Sequence, residues 1–386
     1  MTTLSRADRA GIEALLVRYV GIHSVNPAID NGPGEVALGR ALEEDLRSLD
    51  LNVTRQVVHP PDRENVIARL SGAPGSPELL FEAHLDTVGL SGKAEAHSVV
   101  SGDLVHGRGA CDTKGSLVAM VEAMRLLAMI PARQRCSVTL AGTIDEEVAG
   151  TGAERLVGTE PDYHLAIVGE PTSLELAVAH KGVLRFEIVA HGSPAHSSKP
   201  HLGVNAIEAM ASVVAAIRDE YAPSLAEIVH PLVGSPTISQ STIRGGTGEN
   251  VVPAECVLSV DRRVVPGETH RTVLEDIDRL LTAINIPGAT IQRRVPRLTT
   301  AALDTPPDHL LVGAMQKARA AVLGDPGQPV GMTYGTDGSF FGPAGIPCVV
   351  FGPGSIDQAH SDDEWVGIEE TALAAEILAR TSMNLV

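Results

Sequence analysis

Short apolar runs alternate with helical patterns through the first half of the chain, and this alternation leaves few possible folds. Four runs rich in Val, Leu and Ile occupy residues 65–70, 79–83, 137–144 and 164–168. A strong helix pattern at residues 114–129 separates the second run from the third. Strands that are apolar along their whole length are buried on both faces. The sequence therefore predicts an α/β domain whose mixed sheet has helices on both faces.

The pattern changes near Gly182. Strand patterns at residues 183–190, 256–260 and 290–295 alternate with helix patterns at residues 204–220 and 270–284. Their order is typical of a small α+β unit of the ferredoxin-like kind. Beyond Pro296, the alternation of helix patterns with apolar runs returns, with one such run at residues 348–352. We therefore expect one domain made of residues 1–181 and 297–386, with a second domain, residues 182–296, inserted into it.

Charge and composition exclude several classes of function. The chain has 30 Lys plus Arg and 48 Asp plus Glu, a net charge of −18, which argues against a nucleic-acid or membrane-surface partner. Its longest apolar stretch is interrupted by Glu122 and Arg125, so no membrane span is expected. The four cysteines form no Cys-x-x-Cys pair, and the N-terminus does not resemble a signal peptide. A cytoplasmic location is the resulting expectation.

Histidine and acidic residues follow the predicted strands. His84 and Asp86 come directly after the run at 79–83, and Glu170 follows the run at 164–168. In open α/β sheets such strand ends converge on a ligand crevice. An imidazole paired with a carboxylate is a good metal ligand, although an ordinary polar loop would also account for each residue alone.

Three successive carboxylates, Asp145, Glu146 and Glu147, follow the run at 137–144. Near a core they would repel one another, so they are costly without cations. The alternative is a solvated acidic turn. Two divalent ions would remove the repulsion and leave one Glu free as a base, but the spacing does not say which Glu.

Two further residues complete a possible ligand set. Asp112 lies in a glycine-rich segment that enters the helix pattern at 114–129, where a helix N-cap is the alternative role. His360 lies far downstream, near the C-terminus. Two histidines and three carboxylates without a thiolate suit two Zn²⁺, Co²⁺ or Mn²⁺ ions better than a structural zinc.

The order of these motifs resembles a known family. From about residue 12 to the C-terminus the chain carries, in order, HLDT, GRGACDTKG, DEEVAGTGA, GEPT, GSPAHSSKPHLGVNAI, GTGENVVPAECVLSVDRRVVPGE, TDG and AHSDDEWV. This series resembles the dinuclear-zinc metallopeptidase family that includes acetylornithine deacetylase, succinyl-diaminopimelate desuccinylase and glutamate carboxypeptidase. The resemblance implies a zinc-peptidase-like catalytic domain and an inserted lid and dimerisation domain.

The resemblance also implies a metal site with shared ligands. His84, Asp112 and Glu170 would bind one metal, and Asp112, Glu147 and His360 would bind the other, with Asp112 bridging the two. The peptide bond after the bridging Asp is cis in the family, so a cis bond is implied after Asp112.

Catalytic roles follow from the same resemblance. Glu146 matches the general base, which takes a proton from the metal-bridging water and later gives it to the leaving amine. Asp86 matches the carboxylate that orients His84. His196 matches a histidine that stabilises the oxyanion, often from the partner subunit; a polar hairpin residue is the alternative.

Substrate contacts are implied at four positions. Asn250 and Arg263 match residues that contact the substrate, and a guanidinium suits a carboxylate, although the adjacent Arg262 is an alternative contact. The loop of Gly335 and Thr336 matches a segment that binds the substrate carboxylate through backbone N–H groups. The alternative for this loop is a helix N-cap turn, formed by Asp337.

These inferences together predict a metal-dependent hydrolase that cleaves the amide bond of an N-acyl-amino acid. It would use two divalent ions, zinc with cobalt or manganese as alternatives, and act as a homodimer on a small molecule, without nucleic-acid or membrane partners. A dipeptidase or a glutamate-type carboxypeptidase is the alternative within hydrolases. A catalytically silent protein that binds metal or an amino acid is the alternative from another class.

Overall fold

Strands and helices alternate along the chain in a computed structural model that describes residues 4–90, 96–158 and 162–386. The strands are β1 (Asn52–His59), β2 (Arg63–Leu70), β3 (Glu78–His84), β4 (Val99–Ser101), β5 (Leu104–His106), β6 (Ser137–Thr143), β7 (Leu165–Val168), β8 (Leu176–His180), β9 (Gly182–His191), β10 (Thr237–Gly245), β11 (Glu255–Val264), β12 (Thr290–Arg293), β13 (Leu298–Thr300), β14 (Leu303–Asp304), β15 (Pro329–Met332), β16 (Cys348–Val350) and β17 (Trp365–Gly367). The helices are α1 (Arg9–Val20), α2 (Val36–Ser48), α3 (Gly115–Ala128), α4 (Thr151–Leu156), α5 (Ala206–Ala216), α6 (Ala222–Ser224), α7 (His270–Ala283), α8 (Leu310–Leu323), α9 (Gly338–Phe341) and α10 (Ile368–Asn384). Within the described ranges, no helix combines the length and apolar character that crossing a membrane requires.

Two compact units divide the chain. The first contains Met1–Val178, Thr305–Val330 and Thr336–Val386, and the second contains Ala179–Asp304 and Gly331–Gly335. The predicted insertion, residues 182–296, lies inside the second unit. The second unit also takes in the short segment that includes Gly335, which the sequence analysis had placed in the larger domain.

The main sheet of the first unit runs in the order β1-β2-β6-β3-β7-β16-β8. Every residue of β3 and β6 is buried, because helices cover this sheet; α2 packs against β1 and β2, and α3 packs against β3 and β6. The predicted mixed α/β fold is confirmed. A separate small sheet has the order β17-β5-β4.

Parallel pairing aligns three strand ends of the main sheet. β3 is parallel to β6, with His84 opposite Thr143, and parallel to β7, with Glu82 opposite Val168. The segments that follow β6, β3 and β7 therefore leave the sheet side by side. This is the position that the sequence analysis assigns to the acidic and histidine residues.

The second unit has a ferredoxin-like order of elements, β9, α5, β10, β11, α7 and β12, as predicted, but no strand had been predicted at β10. Its antiparallel sheet has the order β10-β11-β9-β12, and β13 also pairs with β9. Alternate residues of β9 and β11, such as Phe186, Ile188 and Leu258, form one apolar core with α5 and α7. The residues between them point to the opposite face, which is largely polar.

Candidate metal centre

Five predicted ligands come together in the first unit. Ligand atoms of His84, Asp112 and Glu170 lie within 4.8 Å of one another, and so do those of Asp112, Glu147 and His360. Asp112 belongs to both groups. The structure therefore brings together all five side chains that the sequence analysis selected, in the two sets that the resemblance implied.

His84 ends β3 and is held in one orientation. Its Nδ1 lies 3.0 Å from the backbone carbonyl oxygen of Asp86, and a carbonyl only accepts, so Nδ1 carries the proton. Nε2 lies 2.9 Å from Asp112 Oδ1 and 3.8 Å from Glu170 Oε1. In the neutral ring the lone pair of Nε2 thus points to the ligand group, as metal binding requires.

Glu364 positions the turn that carries Asp112. Its buried carboxylate accepts hydrogen bonds from the backbone N–H groups of Gly109, Cys111 and Asp112 at 2.9 to 3.0 Å, and from Arg108 Nη1 at 2.8 Å. The pairing of β17 with β5 brings this residue beside the turn. The peptide bond after Asp112 is cis, as the resemblance implied. This role of Glu364 was not predicted, although the residue stands in the AHSDDEWV motif.

Asp145, the first of the three successive carboxylates, is held by other partners. It accepts hydrogen bonds from Asn26 Nδ2 at 3.0 Å, Thr151 Oγ1 at 2.7 Å and Arg63 Nη2 at 3.2 Å. Burial alone would raise the pKa of Asp145, but these hydrogen bonds and the Arg63 charge lower it. Its φ of 72° is left-handed, which is costly outside glycine. Asp145 therefore fixes the turn on which the next two glutamates lie.

Asp86 supports that same turn. Its carboxylate accepts hydrogen bonds from the backbone N–H groups of Glu146 and Glu147 at 3.1 and 3.2 Å, and from Asn26 Nδ2 at 2.8 Å. Its Oδ1 lies 3.6 Å from His84 Nδ1, beyond hydrogen-bond length. The contact of Asp86 with His84 is thus made by the backbone carbonyl, and its carboxylate positions the two glutamates.

Glu146 and Glu147 differ in their surroundings. Glu147 Oε1 accepts a hydrogen bond from Val88 N at 3.1 Å, and Oε2 lies 3.4 Å from His360 Nε2. Glu146 belongs to neither ligand group, and within the described chain its carboxylate accepts no hydrogen bond. The geometry therefore distinguishes Glu147, which belongs to a ligand group, from Glu146, which does not; the sequence spacing alone could not.

The site has more buried negative charge than its own cations balance. Burial and the nearby Asp112 carboxylate raise the pKa of Glu170 well above its ordinary value. Burial also raises the pKa of Glu146, against the opposing effect of His84. Hydrogen bonds to Asp112 and Glu147 raise the pKa of His360 to about 10. Divalent cations would offset this surplus.

Two further buried acids were missed by the sequence analysis or given another role. Glu82 on β3 accepts a hydrogen bond from Thr143 Oγ1 at 2.5 Å, and burial raises its pKa to about 7. Asp337 is 2% exposed. It stands at the N-cap position of α9, but its side chain makes no capping hydrogen bond. Instead Thr336 Oγ1 accepts from Gly338 N at 3.1 Å.

His196 and Asn250 lie on neighbouring segments of the second unit. His196 forms an isolated backbone bridge with Val251, and Ser197 N donates to the carbonyl oxygen of Asn250 at 3.0 Å. Both predicted side chains are exposed. His196 Nδ1 lies 2.8 Å from Ser198 Oγ. The structure thus groups two residues that the sequence analysis selected separately.

Arg262 and Arg263 point to opposite faces of the second unit's sheet. Arg262 is fully buried and its guanidinium donates to Glu268 and to Tyr221 Oη. Arg263 is partly exposed, with Nε 2.8 Å from Asp261 Oδ1. Of the two, only Arg263 could reach a ligand. The alternation of apolar residues on β11 could have predicted this difference, because it places Arg262 on the core face and Arg263 on the opposite face.

Comparison with known proteins identifies the family. The model for "Peptidase family M20/M25/M40" matches residues 80–384. The chain belongs to this peptidase family. The predicted family and the prediction of a metallopeptidase or amidohydrolase enzyme are therefore confirmed.

Two relatives of this M20 chain illustrate its similarities. It is 30% identical to an acetylornithine deacetylase of Vibrio campbellii over 391 residues, which covers 96% of each chain. It is 29% identical to a probable carboxypeptidase of Aspergillus oryzae over 367 residues, covering 87% of this chain and 82% of the relative. An acetylornithine deacetylase and a probable carboxypeptidase thus each align with most of this chain.

Solved structures confirm the M20 fold. The aminopeptidase PepT of Bacillus cereus superposes with a TM-score of 0.81 at 19% identity, covering 98% of this chain and 99% of the other. The YXEP protein of Bacillus subtilis, described as a dinuclear metal-binding M20 peptidase, has a TM-score of 0.73 at 17% identity and covers 97% of each chain. At these identities the likeness concerns the fold alone.

Proposed function

We propose that this enzyme hydrolyses the amide bond of an N-acyl-amino acid, as acetylornithine deacetylase and succinyl-diaminopimelate desuccinylase do. One observation carries the proposal. Two ligand groups share Asp112, and Glu146 lies beside them but belongs to neither. A protein that only binds metal has no need of a carboxylate beside the ligands that belongs to neither group and accepts no hydrogen bond. The similarity to acetylornithine deacetylase supports the acyl-amino acid as substrate.

The donor set fits two divalent ions. His84 and His360 supply imidazole nitrogens, and Asp112, Glu147 and Glu170 supply carboxylate oxygens. This combination suits zinc, with cobalt or manganese as alternatives. Bound there, the ions would polarise the scissile carbonyl and lower the pKa of water.

Residues of the chain perform the proton transfers. Glu146 takes the proton of the attacking water and gives it to the leaving amine; burial raises the pKa of Glu146, which suits a group that must bind and release a proton near neutrality. Asp86 holds the backbone of Glu146 in place. We assign stabilisation of the oxyanion to His196.

Substrate recognition is assigned to the second unit and the loop that follows it. Arg263 and Asn250 would bind the substrate carboxylate and amide, and the backbone N–H groups of Gly335 and Thr336 would hold the same carboxylate. We also propose a cytoplasmic homodimer.

A dipeptidase or carboxypeptidase is the second candidate. The carboxypeptidase relative aligns over 87% of this chain. The chemistry at the scissile bond would be the same, because both substrates present an amide followed by a free carboxylate. Only the group on the acyl side differs.

A turnover screen tests the proposal. N-acetyl-amino acids, N-succinyl-amino acids and dipeptides would each be incubated with enzyme loaded with Zn²⁺, Co²⁺ or Mn²⁺, and release of free amine measured. We expect turnover of an acyl-amino acid by the wild type and by Glu154→Gln, a surface control, but not by Glu146→Gln. Preferred dipeptide cleavage would favour the second candidate. Substrate binding without turnover in every variant would identify a silent binding protein.

A further inference from the structure

The polar face of the second unit's sheet carries a cluster of arginines. They lie on β9, β10, β11 and the loop after β12, and we call the set the arginine cluster: Arg185, Arg244, Arg263, Arg294 and Arg297. Four of these side chains are between 46% and 72% exposed. In a chain with a net charge of −18, such a concentration of cations is unexpected.

Three members of the cluster surround one carboxylate. Arg294 Nη1 lies 2.7 Å from Glu187 Oε2, whereas Arg244 Nη2 and Arg297 Nη1 lie 3.5 and 3.6 Å from Oε1. The Glu187 side chain is only 10% exposed, so it is fixed between them. One carboxylate cannot neutralise three guanidinium groups, and Arg244 and Arg297 keep donors that Glu187 does not use.

The other two members share a second carboxylate. Arg185 Nε lies 2.7 Å from Asp261 Oδ2, and Arg263 Nε lies 2.8 Å from Asp261 Oδ1. Across the described part of the chain, Glu187 and Asp261 are the only ion-pair partners of the five arginines. The cluster therefore carries five positive charges against two negative ones.

Backbone hydrogen bonds hold part of the cluster in place. Arg294 N donates to the carbonyl oxygen of Glu187, and Arg297 N donates to that of Arg185, each at 2.8 Å. The loop that bears Arg294 and Arg297 is thus fixed to β9. Their guanidinium groups start from a fixed backbone, which lowers the entropic cost of ordering them around a ligand.

A cavity opens within the cluster. Its volume is about 410 Å³, and Arg185, Arg244 and Arg297 line it together with Asp261, Val260 and the hydroxyl-bearing Ser241, Thr242 and Ser259. Guanidinium groups bind carboxylate and phosphate oxygens through paired hydrogen bonds, and hydroxyl groups add further donors. We propose that this cavity is a binding site for a small anion that bears phosphate or carboxylate groups. None of the five candidate metal ligands lines this cavity, and neither does Arg263, the cluster member that is assigned above to the substrate carboxylate.

Titration calorimetry at low ionic strength tests this site. Inorganic phosphate and succinate, titrated separately, distinguish a phosphate ligand from a carboxylate ligand. We expect saturable binding to the wild type, and binding about tenfold weaker in the double variant Arg244→Ala/Arg297→Ala, because two charge-assisted contacts are lost. The matched control is Arg271→Ala/Arg279→Ala, which removes two exposed arginines from α7 and should bind as the wild type does.

A third variant should change the anion affinity in the opposite direction. Glu187→Gln removes the carboxylate that competes for the guanidinium groups, so the anion should bind more tightly than to the wild type. It also tests the site if the double arginine variant fails to fold. An anion that binds at the metal centre instead would still bind to the double variant, so this experiment distinguishes the two sites. Equal affinity in the wild type and both cluster variants, or no saturable binding up to on the order of 10 mM, would overturn the proposal.

Discussion

The carboxylate of Asp86 shows how a single residue serves this site through its neighbours. It accepts hydrogen bonds from the backbone N–H groups of Glu146 and Glu147, while its own carbonyl oxygen sets the tautomer of His84. Asp86 thus positions two candidate metal ligands, His84 and Glu147, which follow different strands, and it also positions the candidate base Glu146. The family resemblance implied only the contact with His84, because the link to the glutamates depends on how β3 and β6 pair.

Substitution of the two glutamates should separate two roles. In Glu146→Gln we expect turnover to fall by about 10²–10⁴-fold, because general base catalysis is lost, with metal content unchanged. In Glu147→Gln we expect loss of one metal ion per chain. Steady-state kinetics and metal analysis by mass spectrometry measure both effects. Full metal content in Glu147→Gln would contradict the ligand assignment.

Glu364 provides a test of positioning without direct metal contact. Replacement by Gln turns one of the two acceptor oxygens into an NH2 donor, so at least one backbone N–H of the Asp112 turn loses its acceptor, and we expect metal affinity to fall by about 10–100-fold. The control is Glu369→Gln, since Glu369 is an exposed acid whose side chain is 56% exposed. Metal titration followed by calorimetry measures the change. Equal metal affinity in both variants would show that Glu364 serves only the stability of the turn.

At the scale of elements, the buried strands of the main sheet were predicted, whereas the exposed edge strand β10 was missed. β3 and β6 are buried throughout, and their apolar runs are visible in the sequence. β10 has the sequence TISQSTIRG and is mostly exposed, so no apolar periodicity indicates it. Its strand conformation comes from hydrogen bonds to β11. The three-residue strands β5 and β17 are too short to show a periodic pattern, and they too are defined by their pairing. This pairing places Glu364 beside Asp112.

The junction between the acidic turn and α4 requires glycine. Gly150 has a φ of 65°, and a Cβ there would lie 2.3 Å from Phe340 Cε2 and 2.9 Å from Asp337 Oδ1. We expect Gly150→Ala to lower the free energy of unfolding by about 2–4 kcal/mol, from left-handed strain and overpacking. Gly158→Ala is the matched control, because its φ is 76° with no atom within 4 Å. Chemical denaturation measures both, and similar losses would contradict the packing argument.

At the scale of the whole molecule, metal binding should stabilise the fold. Buried carboxylates of the first unit repel one another without cations, and ligands that bind only the folded state add stability. We expect a chelator to lower Tm by about 5–10 °C, which corresponds to a few kcal/mol. Asp112→Asn should show almost no chelator effect, since both ligand groups lose their shared member. A chelator-insensitive Tm in the wild type would contradict a structural contribution of the metals.

The sequence alone determined the alternation of strands and helices, because local periodicity reports which face of an element is buried. The candidate ligand residues came from the resemblance of its motifs to a known family, and their position at strand ends agrees with the rule that parallel strands bring their carboxyl ends to one edge. Only the tertiary structure showed that Asp145 is held by Arg63 and Asn26, and that Glu364 clamps the Asp112 turn. These contacts join residues 82 to 255 positions apart, and no local pattern encodes them. They depend on the packing of elements that meet only in the folded chain.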